Sequence, residues 1–247
     1  MRIKTCFYTH GENQEPYFEA TLRECFAQLK NLKVINLSYS NLTDGLLRGL
    51  GESIGSMKVI EKINLKQCGV THESIDLLID KLASNPNDPT LISLNLSGNN
   101  LQGMSKMGKF LAKSNSAGTL ERLKMASCKL GDPELKQLSQ GLMISRSLRV
   151  LDLSQNNVRN VGHIKEGIIC NIGLEKLDLS NNQIDNEGLT RLSEALASNK
   201  GIETLAIAFN KNTLSGLKRI LALFQPKPML PPTELGDPQA AAPKGKD

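Results

Sequence analysis

The sequence predicts an α/β solenoid in which short strands alternate with helices, and three observations carry that prediction. The first is repetition: the pattern L-x-x-L-x-L-x-x-(N/C)-x-L begins at residues 32, 60, 91, 120, 148, 174 and 202, at intervals of 26 to 31 residues. Self-similarity at such a period marks stacked units rather than one folded core. The second is alternation inside each unit, where pairs such as Leu151 and Leu153, or Leu177 and Leu179, share one side of a period-two strand. The third is a stripe of apolar residues at spacings of three and four in the intervening segments, as in Leu46, Leu47, Leu50 and Ile54, or Leu135, Leu138 and Leu142. That spacing lines one face of a helix.

Written out, the units are LKVINLSYSNL, IEKINLKQCGV, LISLNLSGNNL, LERLKMASCKL, LRVLDLSQNNV, LEKLDLSNNQI and the degenerating IETLAIAFNKN. They resemble the leucine-rich-repeat family, and their length and helical second halves most resemble its ribonuclease-inhibitor-like class. The resemblance covers residues 32–224. It implies a horseshoe with parallel strands on the concave face and helices on the convex face. Down the stack the ninth position reads Ser40, Cys68, Asn99, Cys128, Asn156, Asn182 and Asn210. In the family this side chain bonds the backbone of the turn leaving the strand, which implies a structural role here.

In chain order, a weaker match at Ile3, Cys6, Tyr8 and Gly11 starts 29 residues before Leu32 and reads as a worn repeat. Tyr17 to Leu29, with Leu22, Cys25, Phe26 and Leu29, reads as a helix over the first strand, so residues 1–31 form an N-terminal covering segment. His72 falls in a first helical turn after the cap candidate Thr71. Asp132-Pro133-Glu134 supplies a capping Asp, a first-turn Pro and a dipole-favourable Glu. The fifth unit is short, so His163 to Ile169 has room for only a turn or two, and Thr213 to Phe224 reads as the closing helix. Six of the ten prolines lie after Gln225, with Ala240, Ala241 and Ala242, so residues 225–247 read as a disordered Pro/Ala-rich tail. Its Pro228-Met229-Leu230-Pro231 stretch is read as linker rather than docking motif.

Composition narrows the function. Thirty basic residues against 25 acidic ones leave a net charge of +5, too mild for a typical nucleic-acid-binding domain. Five cysteines, odd in number and without a CxxC, sit in apolar runs and point to a reducing compartment. No apolar stretch reaches the roughly 18 residues that cross a bilayer, and no secretory signal is visible, so the expected location is cytoplasmic. His10, His72 and His163 are dispersed without metal-ligand spacing. Asp152 and Asp178, near Ser154 and Ser180, follow the repeat and lack a His to activate a serine. Gly45, Gly49, Gly51 and Gly55 make no phosphate loop. The expectation is therefore no catalytic residue, no metal and no cofactor.

What remains is the concave face. Its departures from the repeat consensus are Lys62, Lys66, Arg122, Lys124 and Arg149 on the early and central strands, and Asp152, Glu175 and Asp178 later. Tyr39 and Phe209 stand near the two ends, and exposed aromatics anchor interfaces. Lys66 and Lys124 are placed in one column two repeats apart. These residues predict a non-enzymatic protein-protein interaction module (scaffold, adaptor or inhibitor) whose partner presents an acidic patch, with neither nucleic acid nor membrane involved and the oligomeric state left open. The alternative is a small-GTPase-activating regulator, since the Ran GTPase-activating protein is built from similar long repeats; the long acidic tail of that family is missing.

Overall fold

A computed structural model describes residues 2–4, 24, 25, 28, 29, 31–54, 57, 59–84, 90–113 and 119–223. Among them, eight three-residue strands form one parallel sheet in chain order: β1 (Arg2–Lys4), β2 (Val34–Asn36), β3 (Lys62–Asn64), β4 (Ser93–Asn95), β5 (Arg122–Lys124), β6 (Val150–Asp152), β7 (Lys176–Asp178) and β8 (Thr204–Ala206). Seven α-helices follow strands β2 to β8 in turn: α1 (Asp44–Ile54), α2 (His72–Ala83), α3 (Met107–Lys113), α4 (Asp132–Ile144), α5 (Lys165–Cys170), α6 (Asn186–Ser198) and α7 (Leu214–Ala222). Parallel strands lie about 4.8 Å apart whereas packed helices need 8–10 Å. The helix layer therefore fans outward, and the open sheet becomes the concave face of a leucine-rich-repeat solenoid.

The register puts Ile35, Ile63, Leu94, Leu123, Leu151, Leu177 and Leu205 in one row pointing at the helices. All but Leu205 are buried, and with Leu37, Leu65, Leu96, Met125, Leu153 and Leu179 they make a continuous core between sheet and helices. Each strand from β3 to β8 begins with a doubled bond. The N–H groups of Glu61 and Lys62 both donate to the Lys33 carbonyl, and those of Glu175 and Lys176 both donate to that of Arg149. Such a local bulge adds a residue before the regular ladder starts.

At the N-terminal edge, Ile3 pairs opposite Ile35 and not opposite Leu32 as the spacing suggested. The ladder places the strand by its backbone bonds, and the weak match is three residues out of phase with them. Cys6, Tyr8, Gly11 and residues 225–247 lie outside the described residues, as does the expected helix from Tyr17 to Leu29 except for Glu24, Cys25, Gln28 and Leu29.

On the convex side, α3 and α4 approach so closely that a Cβ on Gly108 would stand 2.1 Å from the Gln137 carbonyl oxygen. Thr71 is the N-cap residue of α2, with His72 first in the helix. The start of α4 differs by one residue from expectation: Gly131 is the N-cap, and the Glu134 carboxylate accepts its N–H at 2.8 Å. Asp132 turns away to accept the N–H groups of Arg159 and Asn160 in the next unit, both at 3.0 Å. In the short fifth unit a 3-10 turn (Val161–His163) precedes the six-residue α5.

Among the described residues, closure at the C-terminal end is incomplete. Packing of α7 on α6 leaves Ile202, Leu205 and Ile207 only half-buried, beside a hollow of about 360 Å³ also lined by Leu217 and Ile220. Leu214 and Leu221 are 67% and 56% exposed. A repeat buries its apolar face only against a neighbour, and among the described residues the final unit covers the one before it without a further unit on its own outer side. Deleting residues 202–247 should therefore bare Leu177 and Leu179 and produce aggregation or a lower melting temperature. Deleting residues 225–247 alone should leave the melting curve unchanged, and equal behaviour of the two truncations would contradict the capping role of the last unit.

Candidate protein-interaction face

The strand ends are built by three ladders of side chains. Asparagine at the ninth position is the strongest: Asn156 donates to the carbonyls of Met125 and Leu153 and accepts the N–H groups of Cys128 and Leu130, at 2.8 to 3.0 Å. Asn99, Asn182 and Asn210 repeat this bridge between units. Cysteine does it differently. The Cys68 and Cys128 thiols donate to Leu37 and Leu96 carbonyls, while the cysteine backbone carbonyls accept from Leu42 and Leu101. The turn needed for this gives the next residue a positive φ, 71° at Gly69 and 57° at Lys129. Burial pushes the Cys128 thiol up to about 11, so at neutral pH it is a protonated core group.

The fifth position forms the second ladder. Asn36, Asn64, Asn95, Asp152 and Asp178 each accept the N–H two residues on, at 2.9 to 3.2 Å. Asp152 and Asp178 thus hold turns as well as carrying charge, and Lys124 and Ala206 are the departures in that row. The third ladder lies at the helix-to-strand turn. Asn171 donates to the Leu142 and Ser145 carbonyls and accepts from Gly173 and Leu174, and Asn199 repeats the arrangement. Sequence reading missed this ladder, although an Asn three residues before Leu174 and before Ile202 was its signal.

On this frame Lys62, Ser93 and Arg122 form one outward row, and Asn64, Asn95 and Lys124 form the next. Lys66 lies beyond the end of β3, so it does not share a column with Lys124 as the sequence alignment assumed. Its Nζ sits 5.2 Å from the centroid of the Tyr39 ring, a cation-π contact. Tyr39 is 49% exposed and Phe209 81%, so Phe209 projects outward and is not tucked beneath α7. Both occupy the left-handed residue after the strand, with φ of 64° and 55°, as Gln67, Ser127, Gln155 and Asn181 do in other units. The aromatics therefore mark the carboxyl-end rim at opposite ends of the stack.

Charge is distributed unevenly. Arg149 stands before β6, 3.6 Å from Glu175 and donating to the Gly173 carbonyl, so it is neutralised away from the central patch. Arg122 lies 3.4 Å from Glu121. Lys33 bonds Glu61 at 2.6 Å and holds that carboxyl below its ordinary range. Lys62, Lys66 and Lys124 form no ion pair among the described residues, although Lys62 acts on the adjacent Glu61 and Asp152 stands opposite Lys124 in the register. The later strands are less acidic than their sequence suggested, because exposed Lys176 stands beside Asp178 on β7.

A family model described as Leucine Rich repeat matches residues 87–103, 145–165 and 170–193. The chain is a leucine-rich-repeat protein. This repeat protein is 28% identical over 196 residues to NACHT, LRR and PYD domains-containing protein 4E of Mus musculus, covering 77% of this chain and 20% of that one. It is 31% identical over 136 residues to NACHT, LRR and PYD domains-containing protein 5 of Homo sapiens, covering 54% and 11% respectively. Against Leucine-rich repeat-containing protein 14 of Homo sapiens it is 30% identical over 161 residues, covering 63% and 31%. The repeat protein thus spans a fifth or less of the first two relatives. Relatives of this kind support a general role as a protein-interaction module. Among its described residues no helix is long and apolar enough to cross a membrane, and no group of three or more His, Cys, Asp or Glu could hold a metal ion.

Proposed function

We propose that this repeat protein is a non-enzymatic scaffold, adaptor or inhibitor that holds a protein partner on its concave face, with an acidic patch of the partner against β3 and β5. The observation that carries this reading is the set of cations on the open sheet, Lys62, Lys66 and Lys124, none of which is drawn into an ion pair among the described residues. Arg122, Asp152 and Asp178 border the same surface, Tyr39 and Phe209 supply apolar rims, and Arg149 contributes through its pairing with Glu175. The module acts by occupying the partner's surface in the cytoplasm, without cofactor, metal or nucleic acid. The footprint of eight strands at about 4.8 Å spacing, roughly 34 Å, suits a protein better than a small ligand.

The test is an affinity isolation of the partner with the whole chain, followed by charge reversal. Lys62→Glu with Lys124→Glu should weaken binding about tenfold and flatten its salt dependence, because two exposed pairs of about 0.2–1 kcal/mol each are lost and replaced by repulsion. Lys81→Glu with Lys136→Glu on the convex helices makes the same change in net charge and should leave affinity within twofold. Equal losses from the two pairs would overturn the concave-face reading. Turnover of small GTPases should not change on adding the protein.

A further inference from the structure

The cations on β3 and β5 do not form a single patch, because β4 runs between them with small side chains only. Its outward residues are Ser93 and Asn95, whereas the flanking units present Lys62, with Lys66 over the Tyr39 ring, on one side and Arg122 and Lys124 on the other. Two strand spacings separate the flanks by about 10 Å. The result is a trough with cationic banks and a polar floor.

The floor carries donors. Asn95 spends its carbonyl oxygen on the Ser97 N–H at 3.1 Å, and its amide NH₂ has no partner among the described residues. The Ser93 hydroxyl likewise has none. Ser97, buried at 7% exposure, lies at the end of the floor with its Oγ accepting from Ala126 N–H at 3.2 Å, so the donors open to a ligand are those of Asn95 and Ser93.

Resting on the concave-face reading, we infer that this trough takes an extended acidic segment of the partner, its main chain over β4 and its carboxylates reaching the banks. Width decides between extended chain and helix. A helix with side chains is about 10–12 Å across and would ride above the banks, whereas an extended chain lies between them with alternate side chains directed to either side. Spacing decides the pattern: Lys62 and Lys66 are four residues apart, roughly 13 Å at about 3.3 Å per residue, and Arg122 and Lys124 are two apart, roughly 7 Å. Carboxylates at alternate positions match both. Distributed single cations suit several carboxylates better than one dianion, and the trough floor has no aromatic on which a nucleic-acid base could stack. Tyr39, beside Lys66, offers an apolar contact at the carboxyl end of the trough.

The probe is a fluorescein-labelled ten-residue peptide of alternating Glu and Thr, titrated with the whole chain by fluorescence anisotropy, beside the same peptide with Gln for Glu and a ten-nucleotide single-stranded DNA. The Glu peptide should bind at least tenfold tighter than the Gln peptide and than the DNA. Lys62→Ser with Lys124→Ser should reduce its affinity at least tenfold, and Lys81→Ser with Lys136→Ser less than twofold. Ser93→Leu, which raises the floor without changing charge, should weaken binding severalfold while the melting curve stays unchanged. Indifference to Ser93→Leu, equal losses from inner and outer lysine pairs, or tighter binding of DNA would each overturn the inference. The isolated partner then separates this failure from that of the broader reading. Partner binding lost on Lys176→Glu with Thr204→Glu, but kept in the trough variants, removes the trough and leaves the concave face standing; loss only from the outer-helix pair removes both.

Discussion

Replacing Gly108 with alanine should destabilise the stack by about 3 kcal/mol, the upper part of the range for forced overpacking. The added methyl carbon would stand 2.1 Å from the Gln137 carbonyl oxygen, and Gly141 faces back with its own Cβ position 2.3 Å from the Gly108 carbonyl oxygen. Both obstacles are backbone, so no side-chain rotation relieves them, and α3 must move off α4. For a domain of this size the expected fall in melting temperature is roughly 6–12 °C. Gly51 in α1 is the internal control, since its Cβ would meet Lys81 Cγ at 3.4 Å and Leu78 Cα at 3.8 Å, both ordinary van der Waals contacts. Gly51→Ala should be neutral or stabilise by about 0.5–1 kcal/mol through helix propensity. Thermal melts of the two variants check this, and a Gly108→Ala protein as stable as Gly51→Ala would refute the close helix contact.

Asn156→Leu should be comparably damaging, with a loss of about 3–5 kcal/mol. Asn156 is 6% exposed, and its side chain bridges two units through the carbonyls of Met125 and Leu153 and the N–H groups of Cys128 and Leu130. Removing it strands several buried backbone groups, each costing about 1–3 kcal/mol when unpaired, though partial collapse and water entry offset some of that. Because Asn156 joins the fourth and fifth units, the damage should appear as early hydrogen exchange on both sides of that junction, in β5 and β6 amides, with α1 amides slower. Asn156→Cys should be milder, since cysteine serves this position in two other units, yet it must turn Asn157 to positive φ to reproduce their geometry. Denaturant titration of Leu, Cys and native proteins should order them with the leucine variant least stable. A Leu variant as stable as the native chain would contradict the ladder.

Much of this architecture was legible because repetition states the same rule seven times. Leu151 and Leu153, or Leu135, Leu138 and Leu142, declare their inward face by period alone, and each prediction of strand or helix is reinforced by its copies. Phase was harder. Ile3 lacked neighbours of known register, so its weak match with Leu32 was off by three residues, and only backbone pairing with Ile35 corrected it. Lys66 and Lys124 looked equivalent as cations two units apart, but they occupy different positions of the repeat, and the cross-strand register separates them. The role of Asp132 also changed, because whether an acidic side chain caps its own helix or the next unit's turn depends on which N–H groups lie nearby in space.

By itself the sequence determined the solenoid, the inward rows and the outer helices, since those follow from apolar periodicity, which is local. Tertiary structure alone decided which charges survive as free cations. Arg149, Arg122 and Lys33 form ion pairs with carboxylates of adjacent residues or units, whereas Lys62, Lys66 and Lys124 form none among the described residues. It also decided that β4 forms a floor between cationic banks, and that asparagine and cysteine close the same turn by different bonds. Arg122 with Glu121 apart, the physical reason is shared: a charge or a hydrogen bond is set by partners about 28 residues away, across a strand spacing of about 4.8 Å, and no local pattern records that neighbour.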